Sequence, residues 1–270
     1  MLNKPVVLLR WMMLDWPASY LLWVSLLLLL VSALTKKSLI ALPGWALFGV
    51  FWLGQPGHYL AINDYFNAIL FTAAALMCFY IAWMLLRKRG PSKALLWASY
   101  AAAVCGMVYF PFAEIVPLRE GLIGFTTLLI VHALQSLSVP VSVPGGNIVI
   151  LNGKSVEIIL ACTAIESIAL FAGLIISVGA PAGRKAVALA VSTISIYVLN
   201  IVRNGFVIMA YGWSWFGSES FEVAHNMIAK LGSAVALLLI SYLVFLLLPE
   251  LLLIIDELAA EIRHPRGDVA

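Results

Sequence analysis

Three side chains in this chain have the chemistry of an acyl-transfer site. Cys162 stands early in the apolar run VEIILACTAIESIALFAG, residues 156–173. Arg203 lies in LNIVRNG, residues 199–205, and His225 follows in VAH, residues 223–225. A thiol beside a cation and an imidazole is a candidate nucleophile. The guanidinium could stabilise a thiolate or the oxyanion of a tetrahedral intermediate. The imidazole changes charge near neutral pH and could accept or return a proton. Each also has a plain reading. A lone membrane cysteine packs as a small apolar residue, and an arginine near a helix end snorkels to the interface. Asn200 and Asn204 share the end of the run that holds Arg203, which makes a polar cluster inside an apolar segment. Ionisable groups within spans are functional by default. Glu166, four residues after Cys162, falls on the same face of an expected helix, where it would pair with Arg203 or meet a substrate. Glu222, three residues before His225, either orients the ring or is a helix-start charge.

The elements that must position these groups are membrane helices. The chain is 270 residues long, 63% hydrophobic and only 11% charged, with a mean hydropathy of +1.04. Soluble domains are nearer 25% charged. The apolar runs have helix length, so a polytopic all-α transmembrane bundle is expected, not a barrel of alternating segments. It reads as a single integral membrane domain over residues 1–270. The net charge of +3 sits in small clusters at the ends of apolar runs, which suits a topology signal and not a nucleic-acid partner. Cysteines 78, 105 and 162 do not form a disulfide framework. No metal motif such as HExxH or CxxC appears, and no cofactor is implied.

Spans are expected over 19–35, 39–53, 65–86, 93–110, 158–178, 186–211 and 222–253. The segment 111–137, broken by Pro111 and Pro117, is the ambiguous one, so the total is seven or eight. Residues 5–16 read as an interfacial segment ended by Pro17, with no removable signal peptide. Residues 138–157 differ from the rest. They are rich in β-branched residues and turn formers, and Asn152-Gly153 between IVIL and KSVE suits a type I′ hairpin. A polar hairpin cannot face lipid, so it sits outside the hydrocarbon.

Lys36-Lys37, Arg87-Lys88-Arg89, Arg184-Lys185 and the C-terminal tail favour the cytoplasm. The hairpin and the 212–221 loop are then outside. The walks from the two ends agree only if 111–137 does not cross. In that topology Cys162, Arg203 and His225 lie at similar depth below the outer surface. With a turn near residue 182, Cys162 is about 30 Å and Arg203 about 32 Å along antiparallel helices.

Those segments resemble the exosortase/archaeosortase transpeptidases, in particular the subgroup associated with PGF-CTERM substrates. The likeness covers most of the chain and includes PGWALFGVFWL, residues 43–53, and YFPFAEIVPLR, residues 109–119. It implies that Cys162, Arg203 and His225 are catalytic, with arginine able to replace histidine at the third position. It further implies a multi-pass cell-membrane enzyme with an outward-facing site. Such an enzyme cuts a C-terminal sorting signal (PGF-CTERM-like) from secreted proteins through a Cys162 thioester and passes the protein to a membrane phospholipid. From the residues alone, two rivals stay open: a transporter or assembly scaffold with a charged substrate path, and a membrane protease that only hydrolyses.

Overall fold

The computed structural model describes residues 4–61, 63–87 and 92–263, with residues 4–18 described by their backbone only. The helices are α1 (Lys4–Thr35), α2 (Ser38–Leu53), α3 (Pro56–Ala61), α4 (Tyr65–Arg87), α5 (Lys93–Glu114), α6 (Val116–Ser136), α7 (Ile165–Ser177), α8 (Ala182–Gly212), α9 (Lys230–Leu247) and α10 (Pro249–Arg263). Strands β1 (Ser142–Gly145), β2 (Ile148–Leu151) and β3 (Lys154–Glu157) form an antiparallel meander. Six stretches are long and apolar enough to cross a membrane: Ser38–Ala61, Tyr65–Arg87, Lys93–Glu114, Val116–Ser136, Ala182–Gly212 and Glu222–Leu247. Two shorter apolar helices, Ser19–Thr35 and Ile165–Ser177, complete this set among the described residues, in keeping with the expected bundle. Large apolar side chains also face outward, Phe66 at 77% and Leu238 at 71% exposure. Helices that are apolar all round need lipid as their solvent.

The chain divides into two compact units. In the unit built from residues up to Val104 and from Leu253 on, α1 and α2 meet closely. A Cβ on Gly44 would come 2.9 Å from Leu29 and one on Gly49 would come 2.9 Å from Phe79 of α4. Those two glycines of the 43–53 motif thus let α2 nest between its neighbours. The Trp45 indole donates to Ser99 Oγ at 2.9 Å. α1 runs unbroken through Pro17, where a break is expected; a proline removes one main-chain bond without always ending a helix. Trp11 and Trp16, read as interfacial, have side chains outside the described residues. So do Lys88, Arg89 and the tail beyond Arg263.

The unit Cys105–Leu252 carries the candidate site. Its centre is α8, whose 31 residues measure about 46 Å. That exceeds a hydrocarbon core of about 30 Å, so α8 must project beyond it. The sheet is fixed to its C-terminal end. Lys154 Nζ donates to Tyr211 C=O at 2.9 Å and to Ser214 Oγ at 2.6 Å, taking up a carbonyl that the helix end leaves free. Leu151 lies so close that a Cβ on Gly212 would fall 2.5 Å from its side chain. The hairpin turn is as the sequence indicates, with Asn152 at φ 51° and Gly153 at φ 75°, the left-handed pair of a type I′ turn. Beneath the sheet, Val149, Leu151 and Ile158 pack with Ile130 and Leu134 of α6 and Ile208 of α8.

Two boundaries in this unit depart from expectation. Pro111 lies inside α5, and the break falls at extended Ile115, with Pro117 in the first turn of α6. α6 lies beside α8 and runs the same way: Thr126 and Tyr197 hydroxyls bond at 3.1 Å and Leu134 packs at Gly205. The last span ends at Leu247 instead of Leu253. Pro249 lacks an N–H and pushes Leu248 out of the helical region.

Candidate functional site

The chain reaches Cys162 through a series of fixed joints. Asn147 closes the end of β3, its C=O accepting from Ile158 N–H at 2.9 Å and its Nδ2 donating to Ile158 C=O at 2.6 Å. Ile159 is extended, and Leu160–Cys162 form a single 3₁₀ turn. Thr163 Oγ1 donates back to Leu160 C=O at 2.7 Å. Ala164 then adopts a left-handed conformation, φ 63°, before α7 begins at Ile165. For a residue with a Cβ this costs about 1–2 kcal/mol, which the surrounding bonds must offset. Cys162 is therefore not inside the helix, as expected, but three residues ahead of it. Glu166 accordingly does not share a helical face with it.

The reason for the break is visible in the bonding of one carbonyl. In a continuous helix Cys162 C=O would accept from the N–H of Glu166. Here Asn200 Nδ2 donates to it at 2.6 Å and Asn204 Nδ2 at 2.8 Å. Both asparagines are buried. They stand one turn apart on α8, with Arg203 next to them, so one helix face presents all three. The equal reach of Cys162 and Arg203 from the α7–α8 turn thus corresponds to a real contact between 162 and this stretch of α8. The contact is made by the backbone of Cys162. Its side chain is half-buried and packs against the core beneath the sheet.

Arg203 opens onto a cavity of about 650 Å³. Ala161 and Ala164, flanking Cys162, line it together with Glu166, Asn200 and Lys230. Most of the remaining lining is aliphatic, from Ile196, Leu199, Leu237 and Ile240. Neither Cys162 nor His225 is part of its lining. Arg203 Nε is buried and has no hydrogen-bond partner among the described residues. A buried donor left open is costly unless a ligand completes it. Glu166 does not complete it: among the described residues no ion pair joins the two, and Glu166 instead takes a hydrogen bond from Tyr109.

His225 lies on a π-helical segment, Glu222–Ala229, that leads into α9. Its ring stacks on Phe221, with centroids 5.2 Å apart and planes 14° apart. The charged groups within electrostatic reach of the ring are Arg203, Lys230 and Glu222. In the wider π turn, bonded i to i+5, the residue four back and not three back lies under the ring. Phe221 therefore takes the place expected for Glu222. Tyr109, Lys230 and Phe221 were not singled out from sequence as site residues. Tyr109 was within reach, since it opens the 109–119 motif. Nothing in EVAHNMIA distinguishes a π turn from an ordinary helix start. Among the described residues no three His, Cys, Asp or Glu side chains gather as metal ligands would.

An apolar helical bundle with an Asn-clamped cysteine turn beside a cation-lined cavity defines a multi-pass membrane protein with a polar site built on one long helix. The transmembrane exosortase family model matches residues 11–242, and the chain belongs to that family. It is 31% identical to archaeosortase A of Natronomonas pharaonis over 83% of this chain and 82% of that protein. It is also 31% identical to archaeosortase A of Haloferax volcanii over 79% of this chain and 81% of that one. No solved structure matches the chain at a significant level.

Proposed function

We propose that this protein is a membrane cysteine transpeptidase. It cleaves a C-terminal sorting signal from secreted proteins and hands the new C-terminus to a membrane lipid. The observation that carries the reading is the double clamp of Asn200 and Asn204 on Cys162, which fixes that residue at the edge of the cavity where Arg203 holds an open donor. The Cys162 thiolate adds to the scissile carbonyl carbon, and Arg203 stabilises the oxyanion. The C–N bond breaks, His225 delivers a proton to the leaving amine, and the acyl group remains as a thioester. A nucleophilic group of a phospholipid then attacks that carbonyl and gives its proton to His225, the C–S bond breaks, and the thiolate and the protonated imidazole return. Attack by water instead would make the enzyme a hydrolase through the same intermediate. The recognised signal is PGF-CTERM-like, as the family resemblance implies.

Intact mass spectrometry of a reporter's C-terminus, from cells with wild-type enzyme or with Cys162→Ala, tests this directly. A lipid adduct lost in the variant is expected. A free carboxylate makes the protein a hydrolase, and an unchanged reporter sinks the enzyme altogether. In the same assay His225→Ala is expected to slow processing; rescue by His225→Arg would replace proton transfer with hydrogen-bond donation. We place the sheet and the 213–221 loop outside the cell. Cysteines replacing Glu157 and Glu219, both exposed, are expected to react with a membrane-impermeant thiol reagent in intact cells. Protection of both would put the site in the cytoplasm and exclude secreted substrates.

A further inference from the structure

The two edges of the sheet differ. On β1, Pro144 has no N–H to offer and the ladder is irregular between Ser142 and Gly145, devices that blunt an edge. β3 has neither. Leu151 pairs with Lys154 and Val149 with Val156, while Ile158 N–H bonds Asn147 C=O. The even-numbered residues therefore turn their main-chain groups toward β2. The N–H and C=O of Ser155 and Glu157, and the N–H of Ile159, point the other way and have no main-chain partner among the described residues. Ser155, Glu157 and Ile159 are all exposed. This row is about 13 Å long, and its last carbonyl, that of Ile159, is already taken by Cys162 N–H at 2.8 Å. An open row of alternating donors and acceptors, running into the turn that holds Cys162, is complementary to one kind of occupant: an extended polypeptide.

We infer that the β3 edge binds the substrate as an added strand, and that the strand runs parallel to β3. This rests on the reading of Cys162 as the nucleophile. The direction follows from the membrane. The apolar segment downstream of the cleavage point must lie in the bilayer, where extended backbone cannot stay unpaired. Only residues upstream of the scissile bond can lie on the sheet. β3 runs toward Cys162, so a substrate running from its folded body toward the scissile bond runs the same way. Main-chain bonds to Ser155, Glu157 and Ile159 would then hold the scissile carbonyl in register with the thiol.

The test uses full-length enzyme in membranes and a secreted reporter whose C-terminal signal the wild type processes. Glu157→Pro removes one outward N–H without touching the β2 ladder. It is expected to lower processing at limiting reporter by roughly tenfold or more relative to Glu157→Gln, which loses the same carboxylate but keeps the main-chain N–H. Equal loss in both assigns the effect to the side chain and overturns the inference. Disulfide mapping covers misfolding of the proline variant. In a Cys162→Ser, Cys78→Ala, Cys105→Ala background, single cysteines replacing Ser155 or Glu157 are paired with cysteines along the reporter. Cross-links in which position 157 meets reporter residues nearer the scissile bond than position 155 does are expected. The reverse order overturns the parallel strand, and absence of cross-links overturns edge binding. Either failure leaves the nucleophile standing if Cys162→Ala alone still abolishes processing. Retained processing in Cys162→Ala fails the underlying reading instead.

Discussion

The two ends of α8 carry basic residues under opposite conditions. At the start, Arg184 donates through both terminal nitrogens to Glu250 and, at 3.2 Å, to Leu247 C=O. Lys185 caps the end of α7, donating to Ile176 C=O at 2.8 Å and Val178 C=O at 3.2 Å. Sequence reads this pair as a topology signal; the structure adds that both cations close helix ends. Toward the other end, Arg203 keeps a buried Nε with no partner among the described residues. Saturated cations hold a fold together, whereas a buried donor that no described group satisfies, beside a cavity, marks a candidate site. Membrane arginines are better sorted by what their donors touch than by position along a helix.

The comparison breaks most sharply at Arg203. Arg203→Lys keeps the charge but loses the planar fork. It is expected to cut processing on the order of 100- to 1000-fold, the usual cost of an oxyanion donor, with no loss of thermal stability in detergent. A stability loss with intact turnover would make Arg203 a structural residue like Arg184.

Next in size is the clamp. Asn200→Ala or Asn204→Ala alone leaves Cys162 C=O one donor, so roughly tenfold slower processing is expected. The double variant leaves the carbonyl bare at a cost of about 1–3 kcal/mol, and its loss should exceed the product of the single effects. Simple additivity would mean the two bonds do not act as one device.

The smallest effect belongs to the saturated end. The Arg184 hydrogen bonds hold the Glu250 carboxyl below its usual range. A carboxylate depressed in the folded state adds stability above its unfolded pKa and loses it as pH falls through the folded value. Glu250→Gln should therefore be slightly less stable than wild type at neutral pH. The difference should shrink as pH falls below the ordinary glutamate range of about 4.3 and vanish once the folded carboxyl is protonated, with processing at neutral pH unchanged. A pH-independent gap would show that packing, not charge, is at stake there.

The sequence alone determined the membrane class, the type I′ turn and the polar cluster of Asn200, Arg203 and Asn204 at one end of an apolar run. Each depends on composition or on spacing within one element, and hydropathy and helical periodicity report those directly. It also placed Cys162 at the depth of that cluster, because a short turn forces two helices to run back along each other. Only the tertiary structure decided that Cys162 leaves its helix. Two asparagines about forty residues away compete for its carbonyl, and no local propensity encodes that competition. The π turn under His225 and the bond from Tyr109 to Glu166 are of the same kind. They depend on which distant group fills a main-chain or carboxylate valence, and that is settled only when the helices pack.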